Sequence, residues 1–165
     1  MRRGLGAFGL VAILWLAIAP QTHAQSLRSG VAAYNRQDYV RAANIFIPLA
    51  ERGVAPAQTW LGFMFQTGRG VPQNYTEAAM WYRRAAEQGD SLAQYSLGLL
   101  YDKGQGVPRD VIEASKWLNL STAAAPPRSR EARARIRDAV GTKMTRGEIA
   151  QARARALEWA PVPEH

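Results

Sequence analysis

The chain has no cysteine. That excludes a disulfide framework, a thiolate nucleophile and a lipid attached through sulfur. Histidine is almost as scarce, with only His23 and His165 present. A Ser–His or Cys–His pair needs an imidazole or a thiol inside the fold, and zinc sites draw mainly on the same two residue types. Neither can be assembled here. Carboxylate or lysine chemistry stays open, but no paired-carboxylate cluster stands out, and Asp102 beside Lys103 is the only hint of it. The expectation is a non-enzymatic protein with no cofactor and no metal site.

Long apolar runs are also missing, apart from residues 5–19. That run carries no charge, follows Arg2 and Arg3, and is broken by Pro20. Thr22 and Ala24 place small residues at the −3 and −1 sites of a cleavage before Gln25. The pattern predicts a secretory signal over residues 1–24. Its apolar part is shorter than the ~20 residues a spanning helix needs. No membrane anchor is then expected after cleavage, and the mature chain is placed in the periplasm or outside the cell. Without Arg2 and Arg3, 19 of the 21 basic residues remain against 13 acidic ones.

What is present is a repeat. Residues 57–88 read AQTWLGFMFQTGRGVPQNYTEAAMWYRRAAEQ, and residues 93–124 read AQYSLGLLYDKGQGVPRDVIEASKWLNLSTAA. The offset is 36 residues, and 11 of the 32 aligned positions are identical. A period in the range of roughly 20–50 residues marks stacked supersecondary units, built as a surface for something to bind.

Each copy reads as helix, glycine-rich turn, helix. Ala57, Leu61 and Phe65 share one helical face, and Ala93, Leu97 and Tyr101 repeat it. Gly68-Arg69-Gly70-Val71-Pro72 and Gly104-Gln105-Gly106-Val107-Pro108 break the chain. Asn74 with Glu77, and Asp110 with Glu113, have the spacing of capping boxes. Ala78, Trp81, Tyr82 and Ala85 then form a buried stripe, answered by Ala114, Trp117 and Leu118. Gly89 ends the first copy and Asp90 caps the next helix.

A shorter pair precedes these copies. Residues 27–37 form a first helix and Asp38 caps a second, with Ala42, Ala43, Phe46, Leu49 and Ala50 on its apolar side. Pro48 should kink or loosen that helix. Gly30 to Ala42 spans 12 residues, where Gly62 to Ala78 and Gly98 to Ala114 each span 16. After Pro126-Pro127 two more helices are expected. The first covers residues 129–140, with Ala132, Ile136, Ala139 and Val140 on its inner side. The second is opened by Thr145 and Glu148 and runs to about Trp159. The predicted organisation is a helix pair at 25–55, repeats at 56–92 and 93–125, and a capping pair with a short tail at 126–165.

The recurring A-x-x-x-L-G-x-x-[YF]-x-x-G-x-G-V-x-x-[DN]-x-x-x-A-x-x-W pattern resembles the Sel1-like repeat, a relative of the tetratricopeptide repeat with a longer internal turn. The first pair looks more like a tetratricopeptide unit. The resemblance implies an all-α fold, an α/α superhelical solenoid, and a scaffold that binds a protein or peptide in its concave groove. Carried over by position, the groove would receive Thr59, Trp60, Phe63 and Gln66 from one unit. Tyr95, Ser96, Leu99 and Asp102 would come from the next, and Arg28, Val31 and Asn35 from the first pair.

Three features have competing readings. Trp81, Tyr82 and Trp117 sit at core positions of the repeat. Trp60 has Ser96 as its counterpart, so the repeat does not require an aromatic there, and a binding anchor is the alternative to a packing role. The glycine-rich turns lack the strand and the Gly-Lys-Ser/Thr of a phosphate loop, so their glycines serve the backbone. Arg128, Arg130, Arg133, Arg135 and Arg137 form either a solvated face or a contact for an acidic envelope surface. Nucleic acid is not expected as a partner of an exported chain, and a cell-wall-fragment binder or hydrolase using Asp102 is the other alternative.

Overall fold

A computed structural model describes residues 19–162. Among the described residues there are eight helices and no strand. They are α1 (Ala19–Asn35), α2 (Tyr39–Glu51), α3 (Ala55–Thr67), α4 (Tyr75–Glu87), α5 (Ser91–Lys103), α6 (Val111–Ala123), α7 (Pro127–Gly141) and α8 (Arg146–Glu158). The apolar segment read as a signal lies almost entirely outside the described residues, and the expected cleavage before Gln25 falls within α1.

The chain is an α/α solenoid. Each helix from α1 to α6 packs on its neighbours in sequence, and the expected core stripes of α2, α4 and α6 are buried, while Phe65 and Tyr101 at the ends of the α3 and α5 stripes are partly covered. Trp81, Tyr82 and Trp117 retain no more than 8% of their surface. Asp38, Asn74, Asp90, Asp110 and Thr145 each cap the helix that follows by accepting backbone N–H groups. Such caps contribute about 0.5–2 kcal/mol each.

Small residues set how closely paired helices approach. A Cβ on Gly30 would meet the Phe46 ring, one on Gly62 would lie 2.8 Å from Tyr82 Cδ1, and one on Gly98 would lie 2.9 Å from Leu118 Cγ. The glycine and its bulky partner are four residues closer in the first pair than in the two repeats, matching its shorter turn. In the repeats, Gly70 and Gly106 adopt φ of 77° and 70°. Their backbones pass against the carbonyls of Tyr39 and Tyr75. Each turn therefore stacks on the start of α2 or α4 in the preceding unit.

Pro48 is accommodated inside α2, which stays helical to Glu51. Both Pro48 and Asn44, whose carbonyl loses its helical donor, are exposed, so water can replace the missing bond. Contrary to expectation, neither Glu77 nor Glu113 closes a capping box; the Glu113 carboxylate goes to Lys116 at 3.3 Å and Arg155 at 2.7 Å. The inner side of α7 is not the alanine–isoleucine side. Ala132, Ile136 and Ala139 are exposed, while Arg133, Arg137 and Val140 turn inward. The two C-terminal helices also do not pair chiefly with each other; each packs against α6.

Candidate binding groove

Helices α3 and α5 lie side by side on one face of the solenoid and bound a groove of about 550 Å³. Seven of the sequence-selected residues line it: Thr59, Trp60, Phe63, Gln66, Tyr95, Ser96 and Leu99. They come from two helices because the 36-residue repeat gives α3 and α5 the same orientation. Pro56, Tyr82, Asp90 and Leu92 complete the lining and were not selected from sequence. Leu92 had a readable signal, since it follows the Asp90 cap and has Pro56 as its counterpart. It keeps 52% of its surface exposed.

The α3 wall is aromatic. Trp60 stacks on Phe46 with ring centroids 5.5 Å apart and an interplanar angle of 5°. It also lies 5.0 Å from Tyr34 and meets Phe63 edge-on at 6.1 Å. Trp60 thus packs on the first pair and also lines the groove. Thr59 is buried, and its hydroxyl donates to the Ala55 carbonyl at 3.1 Å. It contributes floor rather than a free polar group.

Tyr82 rises from α4 between the two walls. Its ring covers Gly62, and its hydroxyl donates to Gln66 Oε1 at 2.7 Å. Burial holds this phenol well above its ordinary pKa, opposed in part by the Ser96 hydroxyl. It therefore stays a neutral hydrogen-bonding group across the physiological range. Asp90 is the one acidic residue in the lining. Its Oδ1 accepts from the N–H groups of Leu92 and Ala93 at 3.0 and 2.9 Å, which commits it to capping α5.

The remaining selected residues lie elsewhere. Arg28 and Asn35 are exposed on α1, and Val31 packs beside the first core cluster. Asp102 lies beyond the groove, with both carboxylate oxygens 2.8 Å from Lys143 Nζ. Its neighbour Lys103 is exposed. No group of His, Cys, Asp and Glu able to hold a metal occurs among the described residues. The five arginines do not act as one face. Arg135 pairs with Glu131 at 2.6 Å and Arg137 with Asp138 at 2.7 Å, Arg130 donates to the Ala125 carbonyl, and Arg133 is drawn under α5.

A family model described as the Sel1 repeat matches residues 55–90 and again 91–125. These two units are Sel1 repeats. A crystal structure of a protective antigen from uropathogenic Escherichia coli, described as displaying an SLR fold, aligns over 86% of this chain with a TM-score of 0.76 and 28% identity. A Sel1 repeat protein from Oxalobacter formigenes aligns over 82% with a TM-score of 0.62 and 28% identity. The chain spans only 30% and 55% of the lengths of those two structures. A comparison with curated proteins found no match. Sel1 repeats are protein-interaction scaffolds, and the groove sits where two of them meet. Among the described residues no helix is long and apolar enough to cross a membrane.

Proposed function

We propose that this chain is an exported, non-enzymatic scaffold that holds an apolar peptide segment of a partner protein in the α3–α5 groove. The observation that carries this reading is the lining itself. Helix α3 has no charged residue, and α5 has none before Asp102. One in five residues of the whole chain is charged. The repeat thus keeps an uncharged, aromatic surface open between two walls that could have been polar. Burying one aliphatic or aromatic partner side chain there contributes about 1.5–3 kcal/mol. Gln66 and Ser96, both partly exposed in the lining, are placed to orient a peptide backbone. The basic, then apolar, N-terminal segment supports export, and the absence of a histidine or cysteine site supports binding rather than turnover.

The test is peptide selection against the folded chain at low and high salt. The expected ligands carry aromatic or aliphatic anchors and bind with little salt dependence, because the one charge in the lining, Asp90, is committed to capping α5. Leu99→Glu should abolish this binding while the helical content is kept. Selection of acidic peptides whose affinity collapses in salt, unaffected by Leu99→Glu, would move the site to the arginines of the cap.

A further inference from the structure

Helix α7 places no side chain in the groove, yet one of its arginines reaches the groove wall from behind. Arg133 Nη1 donates to the Ser91 carbonyl at 2.9 Å, the Ser121 carbonyl at 3.2 Å and Ser121 Oγ at 2.8 Å. Its guanidinium carbon lies 5.7 Å from the centroid of the Tyr95 ring, within cation–π range. Ser121 is itself fully buried and donates to the same Ser91 carbonyl at 2.7 Å. The position 36 residues earlier is Ala85, so this hydroxyl anchor belongs to the last unit alone. No carboxylate lies within ion-pair distance of Arg133 among the described residues, although the Asp90 charge is near enough to favour the cation against its burial.

Burying a cation costs free energy that hydrogen bonds and a facing ring offset. Here Nη1 alone makes all three bonds, to two carbonyls and a hydroxyl, and the guanidinium sits over a ring that lines the groove. The counterpart of Tyr95 is Thr59, which is fixed by its own bond to Ala55. Tyr95 makes no such bond; it is partly buried, packs against the cluster of Ala114, Leu118 and Val140, and has Arg133 over its ring.

We infer that Arg133 is a positioning residue of the groove: it fixes the Tyr95 ring against α5 and so makes the C-terminal cap part of the binding unit. The inference rests on the groove being a binding site. It assigns α7 a role beyond covering the end of the solenoid, because the shape of the α5 wall depends on a residue supplied by the cap.

The experiment uses the full chain and the neutral apolar dye Nile red as groove probe, with Arg133→Met, Arg133→Lys, Tyr95→Ala, Tyr95→Ala/Arg133→Met and Leu99→Glu. Arg133→Met should weaken the dye by about fivefold to tenfold, the scale of one desolvated cation–π contact. The lysine variant should not restore it, because one ammonium nitrogen cannot meet these acceptors and also lie over the Tyr95 ring, as Nη1 and the rest of the guanidinium do together. In the Tyr95→Ala background, Arg133→Met should have no further effect. Ring carbon NMR of labelled tyrosine should show the Tyr95 signal shifting while that of Tyr82 stays in place.

A folded Arg133→Met protein with wild-type dye affinity and an unmoved Tyr95 signal would overturn the inference. So would an equal loss in the Tyr95→Ala background, since Arg133 would then act elsewhere. Should Arg133→Met not fold, Arg133→Lys gives the same two readouts. Dye binding that survives Leu99→Glu would sink the groove reading, and the Tyr95 signal would then decide the role of Arg133 alone.

Discussion

The side-chain amide of Gln88 donates to Gln58 Oε1 across 2.8 Å, tying the end of α4 to the start of α3. Gln58 also donates to the Ala50 carbonyl at 3.1 Å. The next unit repeats half of this arrangement. Gln94 donates to the Ala86 carbonyl at 3.2 Å, but the position equivalent to Gln88 is Ala124, and Gln94 Oε1 is buried without a partner. An orphaned buried acceptor costs about 1–3 kcal/mol. Gln88 and Ala124 share nearly the same backbone, with φ, ψ of −79°, −4° and −85°, −1°. Ala124→Gln should therefore supply the missing donor and raise the unfolding free energy by about 1 kcal/mol in urea titration. An unchanged or lowered midpoint would show that the acceptor is already satisfied by water.

The intra-repeat glycines should differ in their tolerance of a methyl group. At Gly62 the added carbon meets only the Tyr82 ring. At Gly98 it meets Leu118 Cγ at 2.9 Å and the Ala114 carbonyl at 3.1 Å, so backbone as well as side chain must move. Alanine gains about 1 kcal/mol of helix propensity over glycine, against about 1–3 kcal/mol for overpacking. Gly98→Ala should be clearly destabilising and Gly62→Ala less so, both read from thermal unfolding. A Gly98→Ala protein as stable as the parent would mean that α5 and α6 are packed more loosely than these distances show.

Much of this fold is legible because the same physics is written twice. The stripes of α3 to α6, the glycine turns and the caps at Asn74, Asp90 and Asp110 follow from spacing that a solenoid repeats. The groove was half legible for the same reason, since repeat position picks the residues of α3 and α5. It could not show that Thr59 would sink into the floor, or that Tyr82 of the second helix would rise between the walls through the gap that Gly62 leaves. The cap was the hardest part to read. Apolar periodicity placed Ala132 and Ile136 inside α7, but the surface that receives the helix offers the Ser91 and Ser121 carbonyls and the Ser121 hydroxyl. An arginine satisfies those acceptors and an isoleucine cannot. No hydrophobicity pattern reports such a trade.

The start of α8 should respond to acid. Thr145 and Glu148 form a closed capping box, with the Glu148 carboxylate accepting from the Thr145 N–H at 2.7 Å and from its hydroxyl at 2.9 Å. These bonds hold the Glu148 carboxyl below the usual glutamate range. The folded value lies below the unfolded one, so the stabilisation is complete above the unfolded pKa and is lost as pH falls through the folded one. Protection factors of the first-turn amides of α8, taken against the intrinsic exchange rate at each pH, should therefore fall in acid, ahead of those of α4 and α6. Glu148→Gln should flatten that pH response, and Thr145→Ala should cost about 0.5–2 kcal/mol at neutral pH. A first turn whose protection is the same at acid and neutral pH would count against the box.

The segment after α8 should carry more stability than its position suggests. Trp159 lies 6.3 Å from Trp117 in an edge-on arrangement and packs on the second core cluster. The Val162 N–H then donates to the Glu87 carbonyl at 2.8 Å, and Pro161 and Trp159 lie beside Gly89, where an added Cβ would meet both at 3.8 Å. The chain end is thereby fastened to the end of α4, across the second repeat. Leu157, two residues before Trp159, is 86% exposed and touches little. Trp159→Ala should cost about 2–3 kcal/mol, below the range for a fully buried tryptophan because the ring is only partly covered. Leu157→Ala should stay within about 0.5 kcal/mol of the parent. Urea unfolding separates the two, and near-ultraviolet circular dichroism should show the Trp117 environment changing only in the first. Equal effects would mean that α8 is held by the Arg155–Glu113 ion pair and not by the tryptophan that follows it.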